Sequence, residues 1–278
     1  MKKKSLQELT ISSAFMFGAV MIDPELCKEF LERVLEISIA RVEVSKEKSI
    51  VYNPEYKGVR LDIYAEDENN TRYNVEMQAL SVEAITRRAR YYHAQVDMET
   101  LLSGLYYDEL PDTYVIFVCD FDPFGLGLYR YTQKSICAER QEFSIEDGAH
   151  TIFLSTQGKN ELEVPKELVN FLKYVTAPLE QSEQNFHDDY IERLQKAVRE
   201  VKQSREMGAR YMSFEEHMRD QWKAGRAVGR EEGREEGRAE LIINALKKEL
   251  TPEEISNLLG VPIEEVLQVK EELQKNIS

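Results

Sequence analysis

The chain has 278 residues, 42% of them hydrophobic and 9% aromatic, enough apolar material for one sizeable core with appendages. That excludes a wholly disordered or collagen-like chain. A formal charge of -15 excludes a protein that coats nucleic acid through overall basicity, and acidic residues outnumber basic ones on both sides of residue 178.

Lys2-Lys3-Lys4 precedes an apolar run from Ile11 to Ile22, as in a secretion signal. Glu8, Ser12 and Ser13 break the pattern, and Asp23-Pro24 ends it without a small-x-small cleavage site, so a buried N-terminal helix is expected instead. No apolar run is long enough to span a membrane. Cys27, Cys119 and Cys137 are too sparse for a disulfide framework and suit the reducing cytoplasm. No CxxC or HxxxH spacing points to structural zinc.

In chain order, residues 5–38 read as helical, with Pro24 at a helix start, and 39–52 as strand material. Residues 58–66 and 71–80 alternate strictly and flank Asp67-Glu68-Asn69-Asn70, a turn sequence, so they form a hairpin. A helix over 82–104 follows, then a strand at 114–119 that is apolar throughout, as a central strand should be. Residues 126–137 and 150–155 read as strands, and 165–176 as a helix with Pro165 at its first position. Pro178 and the polar run 180–189 mark a boundary. The expected organisation is therefore an α/β domain at 1–178, a charged helical extension at 179–250 and two short helices at 251–278.

The hairpin carries the chemistry. Asp62 shares a face with Arg60 and Tyr64, and Asn74, Glu76 and Gln78 share a face on the second strand. Opposed hairpin residues have a constant index sum, which must be even if the apolar faces are to coincide. A sum of 138 closes the loop around Asn69 and sets Asp62 opposite Glu76, with Cβ atoms about 4.5–5.5 Å apart. Two carboxylates so placed repel unless a proton or cation sits between them, and a hard divalent cation is the economical partner. The same pattern also describes the solvated polar faces of an ordinary surface hairpin.

Asp62, Glu76-Met77-Gln78 across a hairpin and the helix after it resemble the PD-(D/E)XK nuclease motif. The blocks RLDIY, NVEMQ, RRARYYHAQVD and YVIFVCDFDPFGLGLYRY resemble more closely the Rpn family of recombination-promoting nucleases and transposase-like proteins, over roughly residues 6–176 and the Gly-Arg-Glu-Glu repeat beyond. The resemblance implies a mixed sheet flanked by helices and a Mg²⁺-dependent (or other divalent-cation-dependent) DNA endonuclease acting in recombination, transposition or DNA defence. Asp62 and Glu76 would hold the metal, with the Met77 carbonyl as third ligand.

The sequence departs from the broad motif at Gln78, where that motif has lysine. Glutamine holds water by hydrogen bonds but supplies neither charge nor base near neutral pH, so Gln78→Lys is expected to raise the rate. The Arg87-Arg88-Ala89-Arg90 run offers a cation, and Arg88, an i,i+4 neighbour of Tyr92, is expected to face the hairpin and contact phosphate. Tyr92 itself falls on an apolar stripe with Ile85, Ala89 and Val96. Lys57 is a further candidate phosphate contact, whereas the four histidines are scattered.

Gly225, Gly229, Gly233 and Gly237 recur every fourth residue, each followed by arginine. On a helix each step drifts by about 40°, giving a slanted stripe of small residues that admits a second copy's backbone. A flexible charged spacer is the other reading. Residues 252–274 have a helix-turn-helix outline but are too acidic to bind DNA. The nuclease reading competes with a non-catalytic, DNA-binding or self-associating regulator, which Gln78 and the acidic charge favour and the paired carboxylates oppose.

Overall fold

A computed structural model of the chain describes residues 4–50, 59–81 and 83–275. They form two compact units that divide between Tyr211 and Met212.

The apolar N-terminal run folds as two helices, because Asp23 and Pro24 interrupt it. Helix α1 (Ala14–Met21) is buried almost throughout. Helix α2 (Pro24–Leu35) starts where Asp23 accepts hydrogen bonds from the amides of Glu25 and Leu26, with Pro24 next to the cap.

The sheet of the first unit has six strands: β1 (Val42–Ile50), β2 (Val59–Asp67), β3 (Arg72–Gln78), β4 (Thr113–Cys119), β5 (Arg130–Gln133) and β8 (Ala149–Ser155). Their order is β1-β2-β3-β4-β8-β5. The β1–β2, β2–β3 and β8–β5 pairs are antiparallel, whereas β3–β4 and β4–β8 are parallel. The stretch expected as one strand over 126–137 divides into β5 and β6 (Ile136–Cys137), and β6 pairs with β7 (Arg140–Ser144) as a separate two-stranded ribbon. Residues 140–144 are charged and largely exposed, without the alternation that betrays a half-buried strand.

Helix α3 (Ile85–Thr100) covers one sheet face. Its Ile85, Ala89, Tyr92 and Val96 stripe packs with Tyr64, Val115, Phe117, Cys119 and Phe153. Helices α1, α2 and α4 (Lys166–Thr176) belong to the rest of the core, where Phe17, Phe30 and Phe171 pack edge to face or tilted. Pro165 is the cap of α4 rather than its first residue; its missing amide costs nothing at either place.

The first unit continues past the boundary expected at 178. Helix α5 (Asp189–Gln203) buries Tyr190, Ile191, Leu194 and Val198, Arg33 pairs with Asp188 at 2.8 Å, and the Tyr190 hydroxyl donates to the Leu26 carbonyl. These ties to α2 outweigh the break in composition.

Helix α6 (Arg205–Leu246) includes the glycine repeat as continuous helix. In the second unit Ile242, Ala245, Ile255, Val261 and Val266 make a small core. Helix α7 (Pro252–Leu259) opens with a Thr251–Glu254 capping box and closes on left-handed Gly260 (φ 65°) before α8 (Ile263–Lys275). Among the described residues no helix is long and apolar enough to cross a membrane.

Candidate active site

The turn fixes the geometry of the site. Asp67 Oδ1 accepts from the amides of Asn69 and Thr71, and its Oδ2 from the buried Tyr73 hydroxyl at 2.7 Å, while Asn70 takes a left-handed φ of 67°. The β2–β3 register that follows runs from Glu66↔Arg72 to Ile63↔Val75, an index sum of 138. Glu66 and Arg72, directly opposed, form an ion pair.

Beyond Ile63 the backbone pairing gives way to side chains. The Asp62 amide donates to Glu76 Oε1 at 3.2 Å, and the Met77 amide reaches Asp62 Oδ2 at 3.4 Å. The two carboxylates thus cross-link the opened end of the hairpin and converge on one place. Amide and carbonyl of a strand residue point to the same side, so the Met77 carbonyl faces the β2 side as well. Gln78 O, by contrast, accepts from the Asp120 amide on the β4 side.

Arg88, in the first turn of α3, spans the site. Its NH2 donates to Glu76 Oε2 at 2.8 Å, its NH1 to Gln78 Oε1 at 2.9 Å and its Nε to the Tyr92 hydroxyl at 2.6 Å. The guanidinium also lies 5.1 Å from the Tyr92 ring centre and 5.7 Å from that of Phe117, within cation–π range. Three of its five N–H donors are spent on these bonds, and the side chain stays partly open to solvent.

Glu76 is 2% exposed. Burial and then the charge of Asp62 push its pKa well above the usual carboxylate range, and Arg88 offsets only part of this. Asn74, buried two residues earlier on the same face, adds a weak pull towards the charged form of Glu76. Converging carboxylate oxygens that repel one another suit a hard cation, which would displace the proton. Among the described residues no three His, Cys, Asp or Glu side chains form a metal-binding group. A cation here would therefore rest on two carboxylates, backbone oxygen and water.

Asp62, Glu76, Met77, Gln78 and Arg88 are brought together; Lys57 lies outside the described residues. The Tyr92 hydroxyl, 3.4 Å from Glu76 Oε2, joins them although its place on the apolar stripe points to the core. The i,i+4 pairing with Arg88 is the sequence signal that marks it. His93 is structural, bridging Thr113 and Thr151 at 2.7 and 3.0 Å.

A family model described as PD-(D/E)XK nuclease family transposase matches residues 15–226. No curated protein and no solved structure matches the chain.

Proposed function

Because the chain belongs to the PD-(D/E)XK nuclease family transposases, we propose that it is a Mg²⁺-dependent DNA endonuclease of the recombination-promoting type. The observation that carries this reading is the crossed pair of bonds by which Asp62 and Glu76 converge at the opened end of the hairpin. Their carboxylates and the Met77 carbonyl would hold the cation. When bound, such a metal polarises the scissile phosphate and makes water a stronger nucleophile near neutral pH.

The protein's own groups do the rest. Gln78 positions water by hydrogen bonding, and Arg88 supplies the positive charge that the motif's lysine otherwise brings. Its other two N–H groups, unbonded among the described residues, suit a phosphate oxygen, and its bonds to Glu76, Gln78 and Tyr92 hold the fork in place before DNA arrives. Tyr92 stays protonated, since burial and the Glu76 charge raise its pKa, so it orients Arg88 rather than acting as a base. Three free cysteines suit cytoplasmic work.

A second copy is the proposed partner of α6. A Cβ built on Gly225, Gly229, Gly233 or Gly237 meets no atom within 4 Å, and exposed Trp222 and Leu241 flank the stripe.

The site assignment is tested with Asp62→Ala and Glu76→Ala, each of which is expected to abolish Mg²⁺-dependent cleavage of plasmid DNA while leaving the circular dichroism spectrum intact. Full activity in both would overturn it.

A further inference from the structure

Helix α3 carries three cations at the end where a helix is least suited to them. Arg87, Arg88 and Arg90 all lie in its first two turns, at the positive end of the helix dipole, and the first turn has no acidic residue to offset them. Arg87 and Arg90 are also i,i+3 neighbours of like charge, which weakens the helix further. Arg88 is compensated by Glu76 and Gln78. Arg87 and Arg90 are not: both are exposed, and neither has an ion pair or hydrogen bond among the described residues.

In this chain that is an exception. Asp and Glu number 51 against 36 Lys and Arg, so a surface arginine has carboxylates within easy reach. Among the arginines of the first unit whose side chains are described, all but Arg87, Arg90 and Arg205 pair with one. Arg205 opens α6. The other two stand within two residues of Arg88, whose guanidinium touches Glu76.

Helix geometry sets their directions. Arg87 lies about 100° round the helix from Arg88, and Arg90 about 60° further in the same sense, all within about 5 Å along the axis. The three side chains therefore follow an arc that starts at the carboxylate site and runs to the outer face, away from the Ile85, Ala89, Tyr92 and Val96 stripe. Exposed arginines are ordinary on helices. Side by side, unpaired in an acidic chain and at the wrong end of the dipole, they break rules that a merely solvated face follows, and such breaks collect at functional sites.

A guanidinium fork matches a phosphate, and an arc of them matches successive phosphates of one strand. Resting on the nuclease reading of the Asp62–Glu76 site, we infer that Arg87 and Arg90 hold the phosphates next to the one that Arg88 meets. The strand's backbone then crosses the first two turns of α3, and the substrate is a polymer rather than a small phosphodiester, which would reach Arg88 alone. The arc supplies the local attraction that a chain of charge -15 otherwise lacks.

The test is binding of a fluorescent duplex oligonucleotide to the full chain, in chelator so that nothing is cut, over a series of salt concentrations. Arg87→Gln with Arg90→Gln should weaken binding roughly tenfold at low salt, equally for two unrelated sequences, and lower the slope of log affinity against log salt by about 2. Arg205→Gln should leave the slope as it is. The double variant should melt no lower than wild type, because it removes like charges from the wrong end of a helix. Four results overturn the inference: no measurable binding by wild type, an unchanged slope in the double variant, an equal fall in Arg205→Gln, or a lower melting temperature, which would assign the arginines to the fold. A double variant of altered mass in solution overturns it too, since the arginines would then pair with a second copy's carboxylates. Cleavage with Mg²⁺ is measured in parallel. Wild type that binds with the expected slope but does not cut contradicts the nuclease reading and leaves the backbone contact standing.

Discussion

Asp62→Asn separates charge from shape at the site. Asparagine keeps an oxygen for the Met77 amide and removes the charge that faces Glu76. Two unit charges about 5 Å apart repel by about 3 kcal/mol at an effective dielectric constant of about 20. The wild type avoids part of that by keeping a proton on Glu76, whose folded pKa is raised above its unfolded value by burial and by Asp62. The folded state therefore binds more protons than the unfolded one. In chelator, stability should fall as pH rises from the unfolded pKa towards the folded one, and the penalty is absent below the unfolded pKa. Each unit by which Asp62→Asn brings the Glu76 pKa down returns about 1.4 kcal/mol at the alkaline end. We expect the variant to gain roughly 1–3 kcal/mol at pH 8 and nearly nothing at pH 4. Urea unfolding in chelator at both pH values reads the difference. A variant less stable than wild type at pH 8 would refute the claim that the two carboxylates strain one another.

Three further outcomes follow from the same contacts. Arg88→Ala should lower turnover about 10²–10³-fold, the usual cost of losing one preorganised donor, and Arg88→Lys should fall between, because lysine cannot reach Glu76 and Gln78 together; single-turnover rates on plasmid check this. Gln78→Lys, which the motif alone suggests as an improvement, places a second cation against Arg88 NH1 and should slow the wild-type enzyme yet partly rescue Arg88→Ala, which a double-mutant cycle of rates detects. Gly229→Leu with Gly233→Leu should raise helicity and weaken association, seen by circular dichroism and light scattering at several concentrations; a wild type that stays at monomer mass throughout contradicts the proposed pairing through α6.

The hairpin was legible because two local constraints agree. The alternation of Val59 to Tyr64 and Asn74 to Gln78 fixes the faces, and the Asp67–Asn70 turn fixes the parity of the register. The central strand at 113–119 and the Tyr92 stripe were legible for the same reason, period and continuity. What joins across the fold was not. Arg88 was expected to face the hairpin, but nothing local singles out Glu76 as its partner, and no composition rule reveals that Asp188 and Tyr190 return to α2. The boundary at 178 reflects a real change to charged residues, but α5 is amphipathic and its apolar stripe is spent on the first unit. Tyr92 shows the remaining ambiguity: its ring is core and its hydroxyl is site, and a one-letter pattern records only the ring.

The most direct measurement is cleavage of supercoiled plasmid by the purified full chain with Mg²⁺, repeated with chelator and with Asp62→Ala. Nicked or linear product is expected with the metal and none in either control. Undamaged plasmid with Mg²⁺, or cleavage that persists unchanged in Asp62→Ala, would contradict it and leave a DNA-binding or self-associating protein that keeps the nuclease fold without turnover.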